Sequence, residues 1–260
     1  MRIWKQEHEA TAEHAHRSRS TGGVLPRRIL ISVLVMLQLA AGNPGAARAA
    51  TPGAADPHQD RQHMLGHDQR IILIDAGHGG IDGGTSFGDI LEKDITLAIS
   101  RRLFLLLRSD GFDAILNRTG DYAPSDENLW LRSKSRHLRD LAQRKELAET
   151  LPANVVVSIH INWAKSAAKH GPLVLYREEG RSFLLARSIQ DQLNGLYKVQ
   201  AAPRQGKPFY LLNKITATTV IVEAGFVSSP ADREKLCTPK GQEEIAEAIA
   251  NGIAAYLMEV

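Results

Sequence analysis

Ile71-Ile72-Leu73-Ile74-Asp75-Ala76-Gly77-His78-Gly79-Gly80 is a run of four apolar residues that ends in an acid and then in glycines. Apolar residues without polar alternation suit a strand buried on both faces, and such strands belong to parallel sheets covered by helices. The glycines that follow read as a loop. Downstream, Ile95, Ile99, Leu103, Leu106 and Leu107 recur at helical spacing, with Glu92 and Asp94 in the first turn and Gly111 as the stop. Residues 112–116 read as a second strand, 132–149 as a charged helix and 155–160 as another buried strand. A short strand is expected at 173–176 and a helix over 182–196, carried by Leu185, Ile189 and Leu193. Residues 210–212 and 220–222 read as two more strands. An amphipathic helix over 242–258 closes the chain, with Ile245, Ile249 and Ile253 on one stripe. The alternation predicts an α/β fold, a three-layer sandwich with a mostly parallel central sheet and helices on both faces.

Upstream of Arg70 the pattern changes. Arg27 and Arg28 precede an apolar run of 13 residues, 29–41, and Ala47-Arg48-Ala49 offers a small-x-small cleavage site. The run is short for a membrane span and right for the core of a signal peptide, so residues 1–49 read as a signal peptide, with an uncleaved N-terminal anchor as the alternative. A twin-arginine signal fits less well, because Pro26 precedes the pair and the rest of that pattern is missing. Residues 50–69, rich in Pro, Gly, Ala, Asp and His, read as a linker, and 70–260 as the folded domain. An exported, extracytoplasmic protein is expected. His58, His63 and His67 read as part of a solvated tether, with adventitious metal binding as the alternative.

The 260 residues suffice for one sizeable core, and 43% hydrophobic with 23% charged residues is an ordinary globular composition. Residues 1–49 hold seven Lys/Arg against three Asp/Glu, which leaves 25 basic and 26 acidic residues beyond them. The net charge of +3 therefore resides in the leader, and no nucleic-acid partner is expected. The single cysteine, Cys237, excludes an internal disulfide and reads as a partly buried structural thiol rather than a metal ligand.

In open α/β sheets, sites form at the carboxyl ends of strands. Three such ends carry chemistry: His78 in Asp75-Ala76-Gly77-His78-Gly79-Gly80, His160 in Ser158-Ile159-His160-Ile161-Asn162, and Glu223 in Val222-Glu223-Ala224-Gly225-Phe226. Two histidines and a carboxylate at equivalent strand ends suggest a metal or catalytic site. Gly77-x-Gly79-x-x-x-Gly83 superficially resembles a dinucleotide loop. The next helix starts too late, near Glu92, for its N-terminus to cradle a pyrophosphate.

These strings resemble the zinc-dependent N-acetylmuramoyl-L-alanine amidases of bacterial cell-wall metabolism. The resemblance covers residues 71–257. It implies a zinc ion held by His78, by Glu92 in Leu91-Glu92-Lys93-Asp94, and by His160, with Glu223 of Val222-Glu223-Ala224-Gly225-Phe226-Val227-Ser228-Ser229-Pro230 as the catalytic carboxylate. Ala76 departs from the proline usual there. Ser125-Asp126-Glu127-Asn128-Leu129, Ser133-Lys134-Ser135-Arg136, Leu138-Arg139-Asp140-Leu141 and Tyr210-Leu211-Leu212 are most like the germination-specific branch of spore-formers. That branch implies peptidoglycan of the spore cortex as substrate, in muramic δ-lactam formation and germination.

The chemistry is consistent with the resemblance. Two histidines and a carboxylate leave an open position on a catalytic zinc, and a carboxylate outside the ligand set can shuttle the proton an amide leaving group needs. Asp75 and Asn162 are candidates to orient a ligand or to cap loops. Trp163, and less so Trp130, are candidates to stack on sugar rings, and Phe87 and Ile90 to line a cleft. A zinc peptidase or carboxypeptidase, a vegetative wall amidase and a non-catalytic wall-binding module are the competing readings. An accessory activator protein of unknown identity is left open.

Overall fold

The computed structural model describes residues 70–177 and 180–260. The expected signal peptide and linker lie outside the described residues. The chain runs β1 (Ile71–Ala76), β2 (Ser86–Phe87), β3 (Ile90–Leu91), α1 (Glu92–Ser109), β4 (Asp113–Leu116), a 3-10 turn (Pro124–Asp126), α2 (Arg136–Thr150) and β5 (Val155–Asn162). It continues through β6 (Leu173–Tyr176), α3 (Gly180–Tyr197), β7 (Arg204–Gln205), α4 (Tyr210–Lys214), β8 (Thr218–Phe226), α5 (Pro230–Cys237) and α6 (Pro239–Glu259). Six strands form one sheet in the order β4-β1-β5-β8-β6-β7. The first four are mutually parallel, and β6 runs antiparallel to β8 while pairing parallel with β7. This is the mostly parallel α/β sandwich expected from the sequence.

Strand alternation sorts the two faces. On β5, Val155, Val157, Ile159 and Ile161 join Ile72, Ile74, Val220 and Val222 beneath α1, α3 and α6, which contribute Ile99, Leu103, Ile189, Leu193, Ile249 and Ile253. On the opposite face Leu73 and Val156 pack with Leu141 and Ala148 of α2 and Leu211 of α4. Leu175 and Ile221 meet Phe209 and Leu212 there. The same alternation puts Asp75, Ser158, His160 and Glu223 on this second face, so it turns from apolar to polar toward the carboxyl ends of its strands.

The main correction concerns residues 210–212, expected as a strand and found in α4. Leu211 and Leu212 are both buried against the same sheet face. A strand would send neighbours to opposite faces, whereas one helical turn lays both down on one side. The Asn213 amide closes that turn on the Phe209 carbonyl at 3.2 Å, and the Asn213 side chain adds a second bond to it at 2.8 Å. Helix α2 begins at Arg136, four residues later than expected, because the Ser135 hydroxyl caps it by accepting from the Leu138 amide. Helix α5 was not expected at all. Its start carries a Ser229 cap and Pro230 in the first turn.

Helices α3 and α6 cross closely at Gly252. A Cβ there would lie 2.6 Å from Ile189 Cα and 2.8 Å from its backbone nitrogen. Gly252→Ala is therefore expected to destabilise the domain by about 1–3 kcal/mol through overpacking, despite alanine's better helix propensity. A chemical denaturation curve checks the sign.

Candidate metal centre and catalytic cleft

His78 follows β1, His160 lies near the end of β5, and Glu223 faces His160 in register on β8. Glu92 is the first residue of α1, brought to the same point by the short β2–β3 hairpin. The Glu92 carboxylate stands between the two imidazoles, with Oε1 3.2 Å from His78 Nε2 and 3.0 Å from His160 Nδ1. One potential ligand atom from each of the three residues lies within 4.8 Å of the others. The rings meet edge to face, 5.0 Å between centroids. Two imidazole nitrogens and a carboxylate oxygen are a donor set that can hold a metal ion.

The surroundings hold the set in place. Glu92 accepts from the Ile161 amide at 2.8 Å and from the Thr85 amide at 2.7 Å. Burial would raise its pKa, but the His78 charge, the His160 hydrogen bond and the His160 charge outweigh burial and hold the carboxyl well below its usual range. His78 Nδ1 lies 3.0 Å from Asp82 Oδ2. Burial opposes a charge on His78, yet Glu92 and Asp82 together raise its pKa well above the usual value. Asp82, missed by the sequence reading, is thus the carboxylate that orients a candidate ligand.

Backbone strain is stored here. His78 adopts φ 60°, an uncommon conformation for a residue with a side chain. Two buried guanidiniums hold the loop in it. Arg118 donates to the carbonyls of Ala76, Gly77 and Lys93 at 3.1, 3.0 and 2.8 Å. Arg144 donates to the carbonyls of Ala76 and His78 at 2.9 and 2.8 Å while pairing with Asp75 at 2.6 Å and Asp140 at 2.7 Å. Close approach also demands glycine at 77, where a Cβ would sit 2.5 Å from His160 Cε1.

Glu223 differs from the other carboxylates. It is buried, and its Oε2 has no hydrogen-bond partner. Burial pushes its pKa up to about 7; the His160 and His78 charges pull against the rise and Glu92 adds to it. Glu223 lines a cleft with His78, His160 and His137. His137, in the first turn of α2, was not singled out from the sequence. Burial lowers its pKa against the pull of Asp82 and Asp140.

Other expected residues fall elsewhere. Asp75 contacts none of the three clustered side chains except through the chain it braces: it accepts from Arg144, Asn117 and Ser158. Asn162 accepts from the Trp163 amide at 2.8 Å, a local cap. Trp163 packs against the core, whereas Trp130 is exposed and donates to Gln143 Oε1 at 3.2 Å. Phe87 is stacked by the Arg233 guanidinium at 3.8 Å, and Ile90 packs against the core. Cys237 is exposed at the end of α5, not partly buried as expected, because the neighbouring Leu236 takes the inward position.

The family profile for N-acetylmuramoyl-L-alanine amidase matches residues 72–255. The germination-specific N-acetylmuramoyl-L-alanine amidase of Bacillus subtilis is 33% identical over 194 residues, covering 73% of this chain and 81% of that one. The CwlD amidase from Clostridioides difficile, solved in complex with the GerS lipoprotein, superposes with a TM-score of 0.68 at 32% identity, over 74% of this chain and 100% of that one. The amidase AmiC2 of Nostoc punctiforme gives 0.61 at 29% identity, over 73% of this chain and 98% of that one. The residues brought together at the strand ends and the match along the whole described domain agree, and the chain belongs to the N-acetylmuramoyl-L-alanine amidase family.

Proposed function

We propose that this enzyme hydrolyses the amide between N-acetylmuramic acid and the L-alanine of the stem peptide, with zinc held by His78, Glu92 and His160 and with Glu223 as the proton shuttle. The observation that carries the reading is a three-donor cluster beside a buried carboxylate whose Oε2 has no partner of its own. Zinc, when bound, polarises the amide carbonyl and acidifies water. Glu223 takes a proton from the attacking water as it adds to the carbonyl carbon. It then delivers a proton to the alanine nitrogen as the C–N bond breaks. Burial raises the pKa of Glu223 above that of an ordinary carboxyl, which favours its taking up a proton. Asp82 accepts the Nδ1 proton of His78 and so leaves Nε2 as the ligating atom.

Digestion of purified peptidoglycan tests the reading: new L-alanine amino termini are expected, and free D-alanine instead would make the enzyme a carboxypeptidase. Likeness to the germination-specific amidase supports spore-cortex peptidoglycan as the substrate, in δ-lactam formation and germination. The relative solved with a lipoprotein supports an accessory protein of that kind. Action outside the cytoplasm follows from such a substrate; no described helix is long and apolar enough to cross a membrane. We assign 1–49 to a leader, 50–69 to a linker and 70–260 to the catalytic domain. A chain beginning at Gln69 is expected to be as soluble and active as one beginning at Ala50, since the sequence of residues 50–69 carries no apolar periodicity. Loss of activity in the shorter chain alone would move the domain boundary upstream.

A further inference from the structure

Among the described residues, three buried side-chain atoms without a hydrogen-bond partner belong to residues lining one cavity: His78 Nε2, Glu223 Oε2 and His137 Nε2. Buried polar atoms are ordinarily paired, so three orphans in one place call for a polar occupant. The proposed reaction uses the first two. His137 remains.

A role in packing alone does not account for it. The rest of that wall includes Leu141, Phe209, Leu211 and Ile221, among which an apolar side chain would leave no orphan. A second donor lining the cavity, Arg144, is committed to Asp75, Asp140 and the carbonyls of Ala76 and His78. Glu223 offers an oxygen and His78 a nitrogen lone pair. His160 also lines the cavity but belongs to the proposed ligand set. Outside that set His137 can supply a donor to this wall, and an amide substrate brings the matching acceptor, its carbonyl oxygen.

We infer that His137 is a substrate-contacting residue whose Nε2–H donates a hydrogen bond to the scissile carbonyl oxygen, most strongly while that oxygen carries the negative charge of the tetrahedral intermediate. The inference rests on the proposed amidase reading. His137 keeps its proton throughout; water adds to the carbonyl carbon, the C–N bond breaks, and the transferred proton passes through Glu223. A donor aimed at charge that develops only during reaction acts on kcat more than on KM.

The test compares His137→Ala and His137→Gln with the parent full chain on purified peptidoglycan, with zinc content and melting temperature measured on the same preparations. For His137→Ala, kcat is expected to fall by about 10²–10³-fold with KM within about threefold, and with zinc content and melting temperature unchanged. His137→Gln, which retains a side-chain N–H, is expected to recover about tenfold or more of that loss. An alanine variant turning over at near-parental kcat overturns the inference. So does a loss that appears equally in both variants together with lost zinc or a lowered melting temperature, which would make His137 structural. A parent that frees no L-alanine amino termini overturns the amidase reading itself. A cutting parent with an equally fast alanine variant overturns the His137 assignment alone.

Discussion

Glu223→Gln is expected to reduce release of stem peptide by about 10²–10⁴-fold, toward the upper end because the amide nitrogen must be protonated to leave, while zinc content stays at the parental level. Glutamine keeps the shape of the side chain and removes the transferable proton. The alternative, a carboxylate that holds the Gly225–Phe226 turn, fits the geometry poorly. The Phe226 amide is held by Asp232 at 2.8 Å, and Glu223 Oε2 has no partner. Stability separates the two roles further. Glu223 has a folded pKa of about 7 against an ordinary 4.5. A raised carboxyl stabilises the fold fully below the unfolded value and progressively less as pH rises through the folded one. At about 1.4 kcal/mol per pH unit, the metal-free parent above pH 7 bears a cost of about 3 kcal/mol that glutamine escapes. Metal-free Glu223→Gln should therefore be more stable than the parent at pH 8 and close to it at pH 4.5. Greater instability at both pH values, with near-parental cutting when metallated, would refute the shuttle.

The second large effect concerns the proposed ligands. His78→Ala and His160→Ala should each reduce bound zinc from about one per chain to near zero, and activity with it, because two protein donors do not make a catalytic site. Asp82→Asn should be milder, weakening zinc affinity by about 10–100-fold, since it removes the partner that orients a ligand rather than the ligand itself. In the metal-free protein the His78 pKa lies above its ordinary value, so protons compete for the site and affinity should fall as pH decreases. Metal analysis of dialysed protein across a pH series measures all three. One zinc per chain retained in both alanine variants would end the assignment.

The strands that carry His78, His160 and Glu223 were legible because they read as unbroken apolar runs, and a parallel sheet brings the carboxyl ends of such runs together. Glu92 was not. It read as a first-turn residue of a helix, where no pattern marks a ligand, and only the resemblance gave it that role. Arg118 and Arg144 stayed invisible for a different reason. Arg144 lies 68 positions from the Ala76 carbonyl it binds, within a helix whose many charges gave no sign that one was buried. His137 was masked in the same helix. The α4 segment was misread because two adjacent leucines say only that both are buried, and three residues are too few to show a period. Helix α5 had legible cap chemistry in Ser229-Pro230 and was passed over because that stretch was read for its motif alone.

The left-handed turn at His78 is held by guanidinium bonds to the carbonyls of Ala76, Gly77 and His78. Metal capture therefore need not supply the ordering entropy of this loop, which the fold has already spent. In many small metal-dependent domains the ion is a folding nucleus, and stripping it unravels the chain. Here a chelator should leave a folded protein that reloads without refolding this loop, the ion having only to displace the proton held at His78. Such a domain can fold before its metal arrives and be switched on later, when an ion reaches a site that is already shaped.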